Sequence, residues 1–234
     1  MNVIVTGSEG LIGKSICNMF EANGHTVYRL DLSLGHDLTD ELFVKTYFKN
    51  ISDDIDALVN LFALNHHIDD KTSDNNLFNI SLDSFKQYLD TNITALFCVC
   101  REYARTFKEG SIINFSSTYG VVSPRKDLYV DDEKHIGYSV SKSAVIMLSK
   151  HLATHLAPKI RVNTIIPGGV NHEQDNTFKT KYSLQTPLQR MMNAKELYGA
   201  IEFLASENSS YITGTEIKVD EKLIILPSLN VRAY

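Results

Sequence analysis

The chain is poor in the residues that break or cross-link a polypeptide. Its 234 residues include five prolines and three cysteines, and no stretch is rich in Pro, Gly or Ser. This excludes a flexible linker, a low-complexity segment and a disulfide-stapled fold. Cys98 and Cys100 lie two apart in a helical run and point away from each other, so we expect buried free thiols. With 43% apolar residues, one globular domain spanning 1–234 is predicted.

Long apolar runs and clusters of basic residues are also missing. The net charge is −5 and no stretch approaches the length needed to cross a bilayer, so we expect no membrane span and no nucleic-acid surface. The first residues already read as a core strand, which leaves no room for a signal peptide and predicts a cytoplasmic location. His66, His67, Asp69 and Asp70 suggest metal ligands. Because no further cluster of possible ligands accompanies these two adjacent pairs, we predict no metal site.

Strand-like runs alternate with helical runs along the chain. The runs that read as buried strands are 3–5, 26–30, 56–60, 111–115, 160–166 and 216–219. Such alternation is typical of an α/β fold in which a parallel sheet carries helices on both faces. We predict a single-domain Rossmann fold, with a doubly wound parallel sheet of about seven strands flanked by helices.

The first strand leads into a glycine-rich turn and then a helical run. The turn reads Thr6-Gly7-Ser8-Glu9-Gly10-Leu11-Ile12-Gly13. Glycines let the backbone approach a pyrophosphate without a Cβ in the way, and the helix N-terminus offers N–H groups to the anion. Asp31 follows the next strand, eighteen residues after Gly13, close to the distance at which an acid meets an adenosine ribose. The pattern predicts a dinucleotide site.

Tyr138 and Lys142 are four residues apart in a helical run and share one face. A tyrosine is a poor acid–base group at neutral pH because its pKa is about 10. A nearby ammonium favours the phenolate and lowers that pKa. The pair therefore predicts proton transfer.

Taken together, these segments resemble the short-chain dehydrogenase/reductase family over 6–214. Asn92 in Asp-Thr-Asn-Ile, Ser117 in Ser-Ser-Thr-Tyr-Gly, and the Tyr138–Lys142 pair match the family's catalytic tetrad. The resemblance implies that Tyr138 is the acid–base group and that Lys142 holds the nicotinamide ribose. It also implies that Ser117 orients the substrate oxygen and that Asn92 positions a helix kink and a relay water.

The resemblance further implies an NAD-dependent oxidoreductase that transfers hydride to or from a small secondary alcohol or ketone. Asp31 favours NAD, because a carboxylate accepts hydrogen bonds from ribose hydroxyls and repels a 2′-phosphate. Arg29 points to the same face of the strand as Asp31, so NADP remains the alternative cofactor. The implied cofactor contacts are Gly7, Ser8, Glu9, Gly10, Leu11, Ile12, Gly13, Asp31, Asp37, Leu38, Asn60, Ala63, Tyr138, Lys142, Pro167, Gly168 and Val170.

The chain departs from the family pattern in four places. The glycines of the first turn fall at intervals of three, as in longer sugar-nucleotide members, and Asn60-Leu61-Phe62-Ala63 replaces Asn-Asn-Ala-Gly. An insertion lies near 121–137, and with the lid expected near 169–190 it would shape substrate selection. Glu221-Lys222 stands where the family has two glycines.

Two other functions stay open at this stage. The glycine spacing favours a sugar-nucleotide epimerase or dehydratase, although such enzymes usually carry a further substrate domain. A non-catalytic NAD-binding regulator is the other alternative, but it would be expected to lose tetrad residues.

The resemblance also bears on substrate and assembly. The segment 116–124 is similar to oxidoreductases of bacterial surface-sugar pathways, including nonulosonic acid synthesis, which makes a sugar or sugar-nucleotide derivative a candidate substrate. Helices around 89–107 and 138–157 match the family's four-helix subunit contact and predict a homodimer or homotetramer.

Overall fold

The computed structural model of the protein describes residues 1–65, 77–124, 128 and 134–220. In this part of the chain, strands and helices alternate. The strands are β1 (Asn2–Thr6), β2 (Thr26–Leu30), β3 (Ala57–Asn60), β4 (Gly110–Phe115), β5 (Ile160–Pro167) and β6 (Glu216–Val219). The α-helices are α1 (Leu11–Ala22), α2 (Glu41–Asn50), α3 (Leu82–Leu89), α4 (Leu96–Thr106), α5 (Ile136–Leu156), α6 (Asn176–Ser183) and α7 (Tyr198–Ala205).

The strands form one parallel sheet in the order β2-β1-β3-β4-β5-β6. Successive strand residues point to opposite faces of a sheet. In β1, Ile4 packs into a core shared with α2, α4 and α5, whereas Val3 and Val5 pack into a second core shared with α1 and α7. The predicted doubly wound α/β fold is confirmed. Because the chain turns to opposite sides after β1 and β3, a crevice forms at their carboxyl ends.

The described residues form six strands rather than about seven, and β2 is an edge strand. The segment after β2 explains the difference. Asp31 caps a 3₁₀ turn at Leu32–Leu34 by accepting the Ser33 N–H, and Asp40 caps α2. The chain then runs from α2 directly into β3, which pairs with β1. These short capped turns leave no residues for a strand outside β2.

The long helix expected around 89–107 is interrupted by a π-helical turn. α3 ends at Leu89, Asp90–Ala95 is π-helical, and α4 begins at Leu96. Such turns insert an extra residue into a helix and are frequent at functional sites. Here the turn contains Asn92, which is buried, and the predicted kink therefore coincides with that residue.

Some sequence features lie outside the described residues: the histidine–aspartate segment within 66–70, residues 125–127 and 129–133 of the insertion, and 221–222. Among the described residues, no group of three or more potential metal ligands occurs. All three cysteines are free and buried. None of the described helices combines the length and apolar character required to cross a membrane.

Candidate active site

A cleft of about 460 Å³ lies at the carboxyl ends of β1, β3, β4 and β5. It brings together most of the residues predicted from the sequence. Those lining it are Gly7, Gly10, Leu11, Ile12, Gly13, Ala63, Ser117, Tyr138, Lys142, Pro167, Gly168 and Val170. Seven other predicted residues do not line it: Ser8, Glu9, Asp31, Asp37, Leu38, Asn60 and Asn92.

The glycine turn between β1 and α1 is folded tightly on itself. Gly7 has φ +68°, and a Cβ built on Gly13 would lie 2.0 Å from the Gly7 carbonyl oxygen. Gly10 is the N-cap of α1 and supplies no capping side chain, so first-turn N–H groups are available to an anion. The loop therefore fits a pyrophosphate: its backbone is close-packed, and its helix N-terminus faces the cleft through Leu11, Ile12 and Gly13.

Asp31 lies at the end of β2, next to this turn. Its Oδ2 accepts the Glu9 N–H at 3.0 Å, and its Oδ1 accepts the N–H and hydroxyl of Ser33 at 2.9 and 2.8 Å. Partial burial opposes ionisation, but the hydrogen bonds from Ser33 and Glu9 outweigh it and lower the pKa of Asp31. Asp31 is thus a fixed carboxylate beside the glycine turn.

The guanidinium of Arg29 is already occupied by acidic side chains. It donates to both carboxylate oxygens of Glu21 at 3.1 and 3.0 Å and to Glu9 at 3.3 Å. These partners hold it against α1. Because its guanidinium is held by these partners, Arg29 is a weaker candidate for binding a 2′-phosphate than its strand position suggests.

Asp37 and Leu38 belong to the turns before α2. The Asp37 carboxylate accepts the N–H and hydroxyl of Thr39 at 2.9 and 2.6 Å, which also lowers the pKa of Asp37. Leu38 is buried in the core with Val44. Turn capping accounts for Asp37 and packing accounts for Leu38, so a contact of either residue with adenine stays a prediction.

Ser117, Tyr138 and Lys142 meet on one wall of the cleft. Ser117 follows β4, and its side chain interacts with that of Tyr138, near the start of α5. One helical turn later, Lys142 donates from Nζ to the Phe115 carbonyl at 2.9 Å, and this Nζ lies 5.9 Å from the Tyr138 ring centroid. The predicted serine, tyrosine and lysine therefore form one cluster.

Burial controls the ionisation of this cluster. Desolvation lowers the pKa of Lys142 to about 8. It also raises the pKa of Tyr138, and the interaction with Ser117 offsets only part of that effect. The expected lowering of the Tyr138 pKa by Lys142 is not found, because the ammonium is nearly 6 Å from the ring and is hydrogen-bonded to a carbonyl.

The two predicted asparagines lie beneath the cleft. Asn92 Oδ1 accepts the Leu64 N–H at 2.6 Å, and its Nδ2 donates to the Leu64 carbonyl and to Ser141 Oγ. Asn92 thereby connects the loop after β3 to the helix that carries Tyr138. Its catalytic role stays a prediction.

Asn60 is part of a buried polar row. It accepts from Thr6 Oγ1 at 3.0 Å and donates to Asn114 Oδ1 at 2.8 Å, and Asn114 donates to Ser149 Oγ at 2.9 Å. These bonds connect β1, β3, β4 and α5. This network accounts for the polar side chain of Asn60, so its cofactor contact stays a prediction.

Several residues that line the cleft are not among the predicted site residues. They are Asn65, Thr118, Tyr119, Gln174, Phe178, Tyr182 and Met191, together with Lys134 of the expected insertion and His172 of the expected lid. Tyr182 of α6 accepts the Gly169 N–H at 2.6 Å, which ties the lid segment to the end of β5. Thr118 donates to the Pro167 carbonyl at 2.9 Å. Lys134 belongs to the insertion predicted near 121–137, which is expected to shape substrate selection.

A protein-family model described as enoyl-(acyl carrier protein) reductase matches residues 3–221. The chain belongs to the short-chain dehydrogenase/reductase family. It is 30% identical to a 3-oxoacyl-[acyl-carrier-protein] reductase of Aquifex aeolicus, over 93% of this chain and 85% of the relative. It is also 30% identical to glucose 1-dehydrogenase 2 of Bacillus subtilis, over 96% of this chain and 95% of the relative. The protein is an oxidoreductase of this NAD(P)-dependent family, and the family prediction is confirmed.

Solved structures agree with this assignment. A short-chain dehydrogenase from Leptospira borgpetersenii, determined with bound NAD+, is 27% identical and superposes with a TM-score of 0.80 over 94% of this chain and 91% of its own. A Brucella melitensis short-chain dehydrogenase/reductase superposes with a TM-score of 0.83 at 21% identity, over 96% and 97% of the two chains. At that identity, the second likeness shows the fold alone.

Proposed function

We propose that the protein transfers hydride between NAD and the carbinol or carbonyl carbon of a small secondary alcohol or ketone. One observation carries this proposal: the glycine turn of Gly7–Gly13 and the cluster of Ser117, Tyr138 and Lys142 line the same cleft. An anion-binding loop beside a proton-transferring hydroxyl is the combination that dinucleotide-dependent alcohol oxidation requires.

The residues of the cleft divide the work between them. When bound, a nicotinamide would supply the hydride acceptor for oxidation and the hydride donor for reduction. Tyr138 takes the proton from the substrate hydroxyl, or gives it back, at its phenolic oxygen. Ser117, which lines the cleft with Tyr138, orients the reacting oxygen. The Lys142 ammonium, which lines the same cleft, holds the nicotinamide ribose.

Asp31 supports NAD as the preferred dinucleotide. Its carboxylate is held ionised beside the glycine turn by hydrogen bonds from Glu9 and Ser33, where it would accept hydrogen bonds from ribose hydroxyls and repel a 2′-phosphate. The guanidinium of Arg29 is engaged with Glu21 and Glu9. NADP is the second candidate.

A sugar derivative is the substrate class we favour. One relative is named glucose 1-dehydrogenase 2. Another, 31% identical over 62% of this chain and 59% of its own length, is named post-translational flagellin modification protein A of Campylobacter coli. The polar groups of Asn65, Gln174 and Tyr119 line the cleft and suit a hydroxylated compound.

The organisation of the chain is also proposed. We infer one domain over 1–234, with an insertion near 121–137 and a lid near 169–190. Phe178 and Tyr182, on helix α6 within that lid, line the cleft. The three free buried cysteines support a cytoplasmic location.

We further propose a homodimer or homotetramer. Phe97 on α4, and Val140 and Met147 on α5, are exposed apolar residues on the two helices that match the family's subunit contact. A second copy of the chain is the occupant that this face requires.

Replacing Tyr138 with Phe tests the proposed function. The ring remains and only the proton-transferring oxygen is lost, so turnover should fall by about 10²- to 10⁴-fold or more. NADH formation is followed by absorbance with a panel of sugars, alcohols and ketones, and NAD affinity by calorimetry. NAD affinity should be unchanged.

Tyr211→Phe is the matched control, because Tyr211 is fully exposed and should keep the parent rate. A Tyr138→Phe protein that retains more than a tenth of that rate would contradict the assignment.

A further inference from the structure

The ammonium of Lys134 lies against the catalytic tyrosine. Its Nζ is 4.5 Å from the Tyr138 ring centroid, closer than the 5.9 Å of Lys142. Lys134 lines the cleft, and its Nζ donates to Asn65 Oδ1 in the loop after β3. A second lysine therefore reaches the reaction centre.

The two lysines approach Tyr138 from different parts of the fold. Lys142 lies within α5 and is anchored to the Phe115 carbonyl at the end of β4. Lys134 precedes α5, at the end of the inserted segment, and is anchored to Asn65. The fold thus holds two cations at one phenol by separate anchors, and only Lys142 has a role in the proposed hydride transfer.

Two ammonium groups line the cleft. The described residues that line it include Lys134 and Lys142 but no aspartate or glutamate. The Lys134 side chain is partly buried, and desolvation lowers its pKa to about 8. An ammonium in such surroundings binds a carboxylate more strongly than it would in water.

Resting on the proposed function, we propose that Lys134 binds a carboxylate of the substrate and makes the enzyme selective for hydroxy acids and keto acids. The reacting carbon and the anionic group must lie close together in such a substrate, because the Lys134 ammonium lies 4.5 Å from the ring of Tyr138, the proposed proton donor. Lys134 is then a specificity residue, separate from Lys142.

The test compares carboxylates with their neutral amides. Acetoacetate and acetoacetamide form one pair, and glucuronate and glucuronamide form the other. Each is titrated by calorimetry into protein saturated with NADH. At least one carboxylate should bind about tenfold or more tightly than its amide, as a charge-assisted hydrogen bond provides.

Two substitutions separate charge from shape. Lys134→Met should bring the ratio of carboxylate affinity to amide affinity close to one, without altering the affinity for the amide or for NADH. Lys134→Arg should keep most of that ratio, because it retains the positive charge. Lys150→Met is the control, because Lys150 lies on helix α5 and pairs with Glu216 away from the cleft. Its ratio of carboxylate to amide affinity should match that of the parent.

Three results would overturn the inference: an unchanged ratio in Lys134→Met, equal weakening of carboxylate and amide, or no carboxylate binding to the NADH-saturated parent. Equal weakening would instead assign Lys134 to holding Tyr138. Failure of the parent to bind NADH would overturn the proposed function, which keeps the two failures distinguishable.

Discussion

Two alanine substitutions in the glycine turn should fail for different reasons. A Cβ at Gly13 would lie 2.0 Å from the Gly7 carbonyl oxygen and 2.8 Å from two backbone atoms of Ser8. A Cβ at Gly10 would have one neighbour within 4 Å, the Gly7 carbonyl oxygen at 3.4 Å. Gly13→Ala therefore requires the backbone of the turn to move, whereas Gly10→Ala fits the protein and intrudes on the space offered to a ligand.

The magnitudes follow from these contacts. Overpacking costs about 1–3 kcal/mol, and Gly13→Ala should reach the upper end, because no flexible side chain can move aside. At about 2–4 °C per kcal/mol for a chain of this size, its melting temperature should fall by roughly 6–12 °C. Gly10 has φ −72°, which alanine adopts freely, so Gly10→Ala should change stability by less than about 1 kcal/mol.

Thermal unfolding without dinucleotide, followed by calorimetric titration with NAD, separates the two effects. Gly10→Ala should melt close to the parent yet bind NAD about tenfold or more weakly, since its methyl group faces the pyrophosphate. The reasoning would be refuted if Gly13→Ala melted within about 2 °C of the parent, or if Gly10→Ala bound NAD with parent affinity.

Three more predictions use other parts of the chain. Asp31→Asn should narrow the preference for NAD over NADP, because the amide no longer repels a 2′-phosphate; tighter NADP binding by the parent would contradict this. The pKa of Lys142 is about 8 in the folded protein and about 10.4 when unfolded, so the unfolded state binds more protons between these values and stability rises with pH. Lys142→Met lacks this titrating group, so its melting temperature should fall relative to that of the parent as the pH rises from 8 to 10. A difference between the two melting temperatures that does not change with pH would refute the burial argument. Met147→Glu should reduce the mass measured by light scattering toward that of the 26.3 kDa monomer, whereas an unchanged oligomer would place the subunit contact elsewhere.

Features set by local chemistry could be predicted from the sequence. The glycine turn needs only a strand, three glycines and a helix in order, and Tyr138 and Lys142 share a face because of helical spacing. Turn-capping contacts are equally local, since Asp37 accepts the N–H and hydroxyl of Thr39, two positions away. These predictions required no knowledge of distant parts of the chain.

Properties that depend on distant contacts could not be predicted. The pKa of Tyr138 is set by how deeply its ring is buried, which helical spacing does not determine. Lys134 reaches the cleft because its ammonium is anchored to Asn65, 69 positions away. The absence of a strand outside β2 from the described residues follows from several side chains capping turns together, an outcome that strand propensity does not describe.

The buried polar row through Thr6, Asn60 and Asn114 has a consequence for how the sheet assembles. Parallel strands far apart in sequence align slowly, and a slip of one residue would turn every side chain to the wrong face. Thr6 lies opposite Asn60, and Asn60 lies opposite Asn114. A slip would therefore also leave buried amide groups without hydrogen-bond partners, and each such group would cost about 1–3 kcal/mol of stability. The buried polar row thus favours the native register of the three strands. Because Thr6 immediately precedes Gly7, the alignment that completes the sheet also sets the glycine turn in place.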